Sequence, residues 1–350
     1  MNKLNLSKAS RRNFLTYGFV IAAYVILQLL ASGGHMSSML KGQLVPICAY
    51  VVMAISLNLT VGVMGELSLG HAGFMSVGAF MGVTAAISLE NVIASVPLRL
   101  ALALLIAAFF AAVVGFLIGI PVLRLNGDYL AIVTLAFGEI IKSVFNNLYL
   151  GLDSRGFHVS LLEDRTNLAE DGRLIIAGPM GIGGIPKIAS FTAGAVLVLV
   201  CLAVIFHLVG SRHGRAIMAI RDNRIAAESV GLPVTRYKMM AFVTSAAMAG
   251  AAGALFALNY STVVANKFDF NTSILVLVFV VFGGLGNMLG SIVAAAALTI
   301  LPEALRGFAN YRMLIYAIVL ILVMLVTNNP QLRMLLSRIL PKRKEAKKDA

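Results

Sequence analysis

Apolar stretches of about 17 to 25 residues recur from one end of this chain to the other. They lie at 14–30, 44–64, 67–88, 100–123, 129–150, 191–210, 239–258 and 311–326, with a longer one at 273–308. A helix gains only about 1.5 Å per residue, so each stretch is long enough to cross a bilayer. In hydrocarbon every backbone polar group needs an internal partner, which leaves helices and closed barrels as the spanning structures. Of the 350 residues, 59% are hydrophobic and 12% are charged. That charged share is about half that of a soluble globular domain. The expected fold class is an all-α polytopic membrane protein, one helical bundle rather than two or three soluble domains.

The net charge of +13 does not point to nucleic acid. The basic residues flank the apolar stretches, as the bias toward positive cytoplasmic loops requires. Cys48 and Cys201 lie inside apolar runs and read as small buried hydrophobes, not as a disulfide or metal site. Residues 1–13 carry Lys3, Lys8, Arg11 and Arg12 ahead of the 14–30 run. That run exceeds the ~7–15-residue apolar core of a signal peptide, so an uncleaved first helix with a cytoplasmic N-terminus is expected.

Crossing parity constrains the rest. With both termini cytoplasmic, loop 151–190 lies outside, 211–238 inside and 259–273 outside. Loop 151–190 holds four basic and five acidic residues, a balance suited to an external loop, and ends in the turn-rich AGPMGIGGIP. Stretch 273–308 then has to enter and return around GGLGNMLG (283–290). Two short crossings there give ten in all, and a re-entrant hairpin gives eight. The transmembrane domain is expected over 14–330. A basic cytoplasmic tail at 331–350 follows, suited to contact with anionic lipid.

Two stretches carry candidate pathway residues. Gly65, Gly70, Gly73, Gly78 and Gly82 punctuate 67–88 and its approach. Small residues let membrane helices approach closely, and a broken segment lining a solute path gives a second reading. In 129–150, Glu139, Lys142, Ser143 and Asn146 share one helix face. Charges inside a span face a bundle interior or a watery cavity; a mere Glu139–Lys142 pair is the plainer reading. Gly70, His71, Gly73, Asp128, Tyr129, Thr134, Glu139 and Lys142 form the candidate pathway set.

The chain lacks GxxxxGK[ST], so no ATP hydrolysis by it is expected. It also lacks HExxH and GxSxG. An enzyme is not expected; a transporter or transporter subunit is. The longest polar interval of the second half before the tail, 211–238, carries six basic residues against Asp222 and Glu228. Ala216, Ala219, Asn223, Ala226 and Val230 recur at helical spacing, and Gly231 with Pro233 supplies a stop. A short helix with a small-residue face suits docking in a groove of a soluble partner; a plain connecting loop is the alternative.

This interval resembles the cytoplasmic coupling loop of bacterial ABC importer permeases. The EAA-x3-G pattern falls on Ile225, Ala226, Ala227 and Gly231, with Ile replacing the leading Glu. Three longer blocks are similar to the Liv-type branched-chain amino-acid permease family, M-type subunit: GDYLAIVTLAFGEIIK (127–142), GRAIMAIRDNRIAAESVGLPVTRYKMMAF (214–242) and GGLGNMLG. LSLGHAGFMSVGA (67–79) and GPMGI (178–182) are similar too, although Met180 stands where the family usually has Asn. The resemblance covers roughly 40–325. It implies an ABC importer permease bundle in the bacterial inner membrane, moving branched-chain or related amino acids. It further implies a second, H-type permease subunit, two cytoplasmic ATPase subunits that hydrolyse ATP, and an extracytoplasmic substrate-binding protein. No cofactor is expected on this chain itself. Arg221, Asp222, Ala226, Ala227, Glu228 and Gly231 form the expected ATPase-docking surface. The rival class is a secondary transporter or channel that works without an ATPase, for which only Glu139 and Lys142 lie clearly mid-span. A membrane receptor or scaffold, which predicts partner binding without solute flux, is a third.

Overall fold

The computed structural model describes residues 8–33, 37–90, 92–125, 127–153, 156–162 and 172–305, and positions 311, 314, 317, 318 and 321. Residues 1–7, most of the expected last crossing at 311–326 and the basic tail at 331–350 lie outside the described residues. The chain divides into two units, Met1–Ala296 and Ala297–Ala350. The architecture below is that of the first.

Helices dominate. α1 (Lys8–Ser32), α2 (Ser38–Asn58), α3 (His71–Ser88), α4 (Val96–Val122) and α5 (Asp128–Asn146) fill the first half. α6 (Phe191–Gly210), α7 (Arg212–Asp222), α8 (Arg224–Ser229), α9 (Val234–Ala257), α10 (Phe270–Gly283) and α11 (Met288–Ala304) follow. Among the described residues, seven helices are long and apolar enough to cross a membrane, with α11 shorter. This is an all-α polytopic membrane protein. α5, which carries Asp128, Glu139 and Lys142 in its 19 residues, is not among the seven.

The 273–308 stretch resolves into α10 and α11, separated by a turn at 284–287. Their 14 and 17 residues span about 21 and 26 Å, against about 30 Å of hydrocarbon. With the 3-10 turn before it, α10 forms a 19-residue apolar segment at Ala265–Gly283 that counts among the seven, so α11 is the short member of the pair. Gly283 and Gly290 allow the turn to close: a methyl group on Gly290 would sit 1.8 Å from the Gly283 carbonyl oxygen.

The core forms where α9 meets α3 and α4. α9 contains AAMAGAAGALFA, nearly all of it buried. With no hydrophobic drive between helices in lipid, association rests on close packing, which small residues permit. A Cβ at Gly78 would lie 1.9 Å from the Gly250 carbonyl oxygen, and one at Gly253 1.9 Å from that of Met75. Gly82 and Gly115 abut the Ala254 and Ala246 methyls. Phe80, Phe242 and Phe279 fill the remaining core. α4 turns Leu105, Phe109, Phe116 and Leu117 outward, the expected face toward acyl chains. α1 is peripheral and meets α6 through Tyr17–Phe206 and Tyr24–Phe191 ring contacts.

One end of the bundle carries a small sheet that the sequence reading left as turns. β1 (Leu148–Asp153), β2 (Gly156–Leu161), β3 (Arg173–Ala177), β4 (Ile182–Gly183) and β5 (Thr262–Val263) pair in the order β2-β1-β3-β4-β5, all antiparallel. The sheet thus joins loop 151–190 to loop 259–273. AGPMGIGGIP becomes a 3-10 turn at Gly178–Met180 followed by β4.

The glycine contacts give a direct expectation. Gly78→Ala forces α3 and α9 apart and should cost about 1–3 kcal/mol. Gly18→Ala, with nothing within 4 Å of the added carbon, should cost nothing. Unfolding of the purified variants by SDS in mixed micelles measures both.

Candidate coupling site

The polar interval 211–238 is not one helix but two. Ser211 caps α7 by accepting from the Gly214 amide (3.2 Å). At Asn223 the backbone is extended, and its Oδ1 accepts from the Ala226 amide at 3.0 Å, which caps α8. An Asn side chain offers the backbone this local alternative to a continuous helix. The expected single helical face from Ala216 to Val230 is therefore broken in its middle. The expected stop is present: Gly231 has φ +82, a left-handed conformation that favours glycine. The Leu232 amide reaches the Ala227 carbonyl (3.1 Å) and the Gly231 amide the Glu228 carbonyl (3.0 Å), a Schellman end.

The two helices share a core of their own. Ile220, Ala227 and Val234 bury against one another, with Leu232 and Tyr237 beside them. Ala227, one of the expected docking residues, is 4% exposed and packs against α7 and α9. Asp222, Ala226, Glu228 and Gly231 are exposed, as are Ile225 (79%) and Val230 (75%). Glu228 pairs with Arg224 at 2.9 Å across one helical turn. The surface presented is thus an apolar pair, Ile225 and Val230, rimmed by charge.

Arg221 faces two ways. Its Nε and Nη2 hold Asp222, and its Nη1 donates to the Gly62 carbonyl at 2.8 Å. Gly62 belongs to a π-helical turn, Leu59–Met64, that ends α2. The turn closes at Gly65, φ +80, where a Cβ would strike the Arg221 side chain at 2.4 Å. Next along the chain, Glu66 pairs with Lys238 at the start of α9; the side chains are only 12% and 5% exposed. The interval is thereby fixed to the end of α2 at two points.

The same turn meets the α10–α11 break. Asn58 Oδ1 accepts from the Gly286 amide (2.8 Å), and its Nδ2 donates to Ser291 Oγ (2.8 Å). Gly62 abuts Gly286, with only 2.2 Å between an added Cβ and the Gly286 nitrogen. Thr60 donates to Ser245 Oγ (2.9 Å), and Ser245 to the Ser56 carbonyl (2.6 Å), which ties in α9. Residues 58–66 thus touch the 211–238 interval, α9 and the 284–287 turn together. Sequence reasoning missed Asn58, Glu66 and Ser291. The available signal was polar residues and glycines clustered at the end of an otherwise apolar span.

The candidate pathway residues do not converge. Gly70 and Gly73 serve close packing: a Cβ on Gly70 would lie 1.9 Å from the Thr134 carbonyl oxygen, and one on Gly73 3.0 Å from Gly138 Cα. Thr134 Oγ1 accepts from the Leu69 amide (3.1 Å). His71 is enclosed between α2 and α3, its Nε2 hydrogen-bonded to Ser56 Oγ at 2.8 Å. Asp128 and Tyr129 are exposed at the start of α5, about 16 Å along the helix from Glu139. Glu139 and Lys142 form an ion pair. Glu139 also borders a narrow crevice with Gly73, Gly138, Asp269 and Ser273. Asn146 donates to Asn266 Oδ1 (2.9 Å), so the polar stripe of α5 runs up to loop 259–273.

The family of branched-chain amino acid transport system permease components matches residues 39–325. The chain belongs to that family. Among its relatives is the high-affinity branched-chain amino acid transport system permease protein LivM of Salmonella typhimurium. It is 37% identical over 286 residues, 79% of this chain and 66% of the relative. LivM of Escherichia coli matches to the same extent. The chain therefore spans just under two thirds of the length of these curated relatives. The fructose import permease protein FruG of Bifidobacterium longum is 27% identical over 246 residues, 67% of each chain. All three are named as permeases and none as an enzyme. No solved structure gives a significant match.

Truncating either partner of the Glu66–Lys238 pair leaves a buried charge alone. Glu66→Gln or Lys238→Met should each cost about 3–5 kcal/mol, and the double variant less than their sum. A double-mutant cycle in mixed micelles reads the difference.

Proposed function

We propose that this chain is the membrane-spanning permease subunit of an ATP-driven importer for branched-chain or related amino acids. It forms the pore with a second permease subunit in a bacterial inner membrane. Two cytoplasmic ATPase subunits hydrolyse the ATP, and an extracytoplasmic binding protein delivers the solute. Both termini and the α7–α8 interval are cytoplasmic, and the small sheet is external.

One observation carries the reading. Ile225 and Val230 stand almost fully exposed on a short capped helix outside the apolar spans. That helix is backed by its own core and fixed to the membrane helices through Arg221 and Lys238. Exposed apolar anchors inside a charged rim suit insertion into a groove of a soluble partner. A rigid backing lets a displacement of the groove move the turn at the end of α2 instead of deforming a loose connector. From there Asn58 and Gly286 pass it to the α10–α11 break. At the opposite end, β2 presents Phe157, Val159 and Leu161 on one exposed face, suited to a partner that delivers solute.

The amino-acid assignment draws on the names of the LivM relatives. FruG, a fructose permease by name, belongs to the same set of relatives, so the family alone does not fix the solute.

The test is ATP-driven uptake by proteoliposomes holding this chain with its partner subunits. Ile225→Asp and Val230→Asp should each lower uptake at least tenfold while membrane insertion stays at the wild-type level. Bulk at Ala226 should do the same. Ala227→Trp should act differently, by unfolding the interval itself. Wild-type uptake from both Asp variants overturns the coupling assignment.

A further inference from the structure

Between α2, α3, the end of α9 and loop 259–273 lies a cavity of about 330 Å³ that none of the candidate pathway residues borders. That is the lower end of the range for small-molecule sites. One wall is aromatic. Phe256 stands at its centre, with ring centroids 5.8 Å from Tyr50, 4.9 Å from Tyr260 and 6.2 Å from Phe268. Met75 and Pro46 extend the apolar lining.

The polar lining is sparse and of one kind. Lys267 is the only charged residue among the lining residues. It is exposed and ends the short 3-10 turn that follows β5. The nearby carboxylate of Asp269 is spent on capping α10, where Oδ1 accepts from the Thr272 amide at 3.0 Å. Thr272 in turn donates to the Lys267 carbonyl at 2.8 Å, which fixes the backbone that carries the ammonium group. Gln43 adds an amide at the start of α2. Burial pushes the Tyr260 phenol up from its ordinary value, which keeps it a neutral hydroxyl.

We propose that this cavity is a solute-binding site of the chain itself, taking an apolar α-amino acid. The proposal rests on the importer reading above. Lys267 holds the carboxylate, the Tyr50 and Tyr260 rings receive the ammonium group, and Phe256, Phe268 and Met75 surround the aliphatic side chain. Cation–π attraction at the ring faces favours an ammonium there. An uncapped cationic solute is repelled by Lys267, and a sugar leaves the ammonium position and the aromatic wall unmatched. The site also sits within four residues of β5, so a partner seated on the external sheet lies close to the group that grips the carboxylate.

Equilibrium binding of radiolabelled L-leucine to the detergent-purified chain, with whatever subunits co-purify and no binding protein added, tests this. Saturable binding is expected, displaced by L-valine and not by isoamylamine, which lacks the carboxylate. Lys267→Gln should weaken it at least tenfold, and Gln43→Trp, which fills the rim, should abolish it. These two side chains make no hydrogen bond among those the structure records, so both variants should fold. No saturable binding, or binding that neither substitution moves, overturns the proposal. Displacement by phosphatidylglycerol but not by valine assigns the cavity to lipid and overturns it too. ATP-driven leucine uptake by proteoliposomes holding this chain with its partner subunits and binding protein is scored separately. Uptake without direct binding removes this site and leaves the importer reading intact. Binding without ATP-driven uptake keeps the site and removes the importer reading.

Discussion

A helix in lipid has to satisfy its own backbone, and this fold is shaped by the places where helices fail to do so. α2 ends in a π-helical turn, α3 begins only after an irregular stretch at 65–70, and α10 gives way to α11 through four residues. Each break frees amides and carbonyls that water cannot reach in hydrocarbon. The partners come from other helices. Arg221 takes the Gly62 carbonyl, Asn58 the Gly286 amide, Thr134 the Leu69 amide and Ser273 the Ala72 amide (3.1 Å). The interrupted segments are therefore also the points at which distant parts of the chain are fastened together.

That arrangement explains where charge is tolerated. Glu66 and Lys238 are almost fully enclosed, yet both sit at the ends of spans, at a junction where polar groups already gather. An isolated charge there would be strongly disfavoured; a pair beside a freed carbonyl is not. The Glu139–Lys142 pair solves the same problem within one helix, one turn apart, and leaves the polar face of α5 continuous with Asn146 and loop 259–273.

Much of the architecture was legible because apolar length is a direct readout of bilayer thickness. The stretch at 191–210 is α6 residue for residue, and those at 14–30 and 239–258 form the middle of α1 and most of α9. The break at 283–290 was also legible, since paired glycines are costly in a helix unless a close contact needs them. What remained hidden had weaker local signals. The small sheet rests on β-strand pairing between loops about eighty residues apart, and no pattern in either loop announces the other. The division of 211–238 at Asn223 turned on a side chain that reads equally well as part of a helical face. Ala227 matched a docking pattern by position, but only the packing of Ile220 and Val234 shows which way it points.

The pathway residues show the same limit from the other side. Gly70, Gly73 and Thr134 combine polarity and backbone freedom, and the structure uses both to bring α3 against α5. A glycine that permits contact and a glycine that opens a path look identical in sequence, because each is defined by what lies opposite. Here the opposite surface is a carbonyl or another glycine. Among the described residues, a cavity lies on the side of α3 facing Tyr50 and Phe256. In a bundle assembled from small residues, aromatic rings such as Tyr50 and Phe256 leave space where glycine and alanine contacts close it.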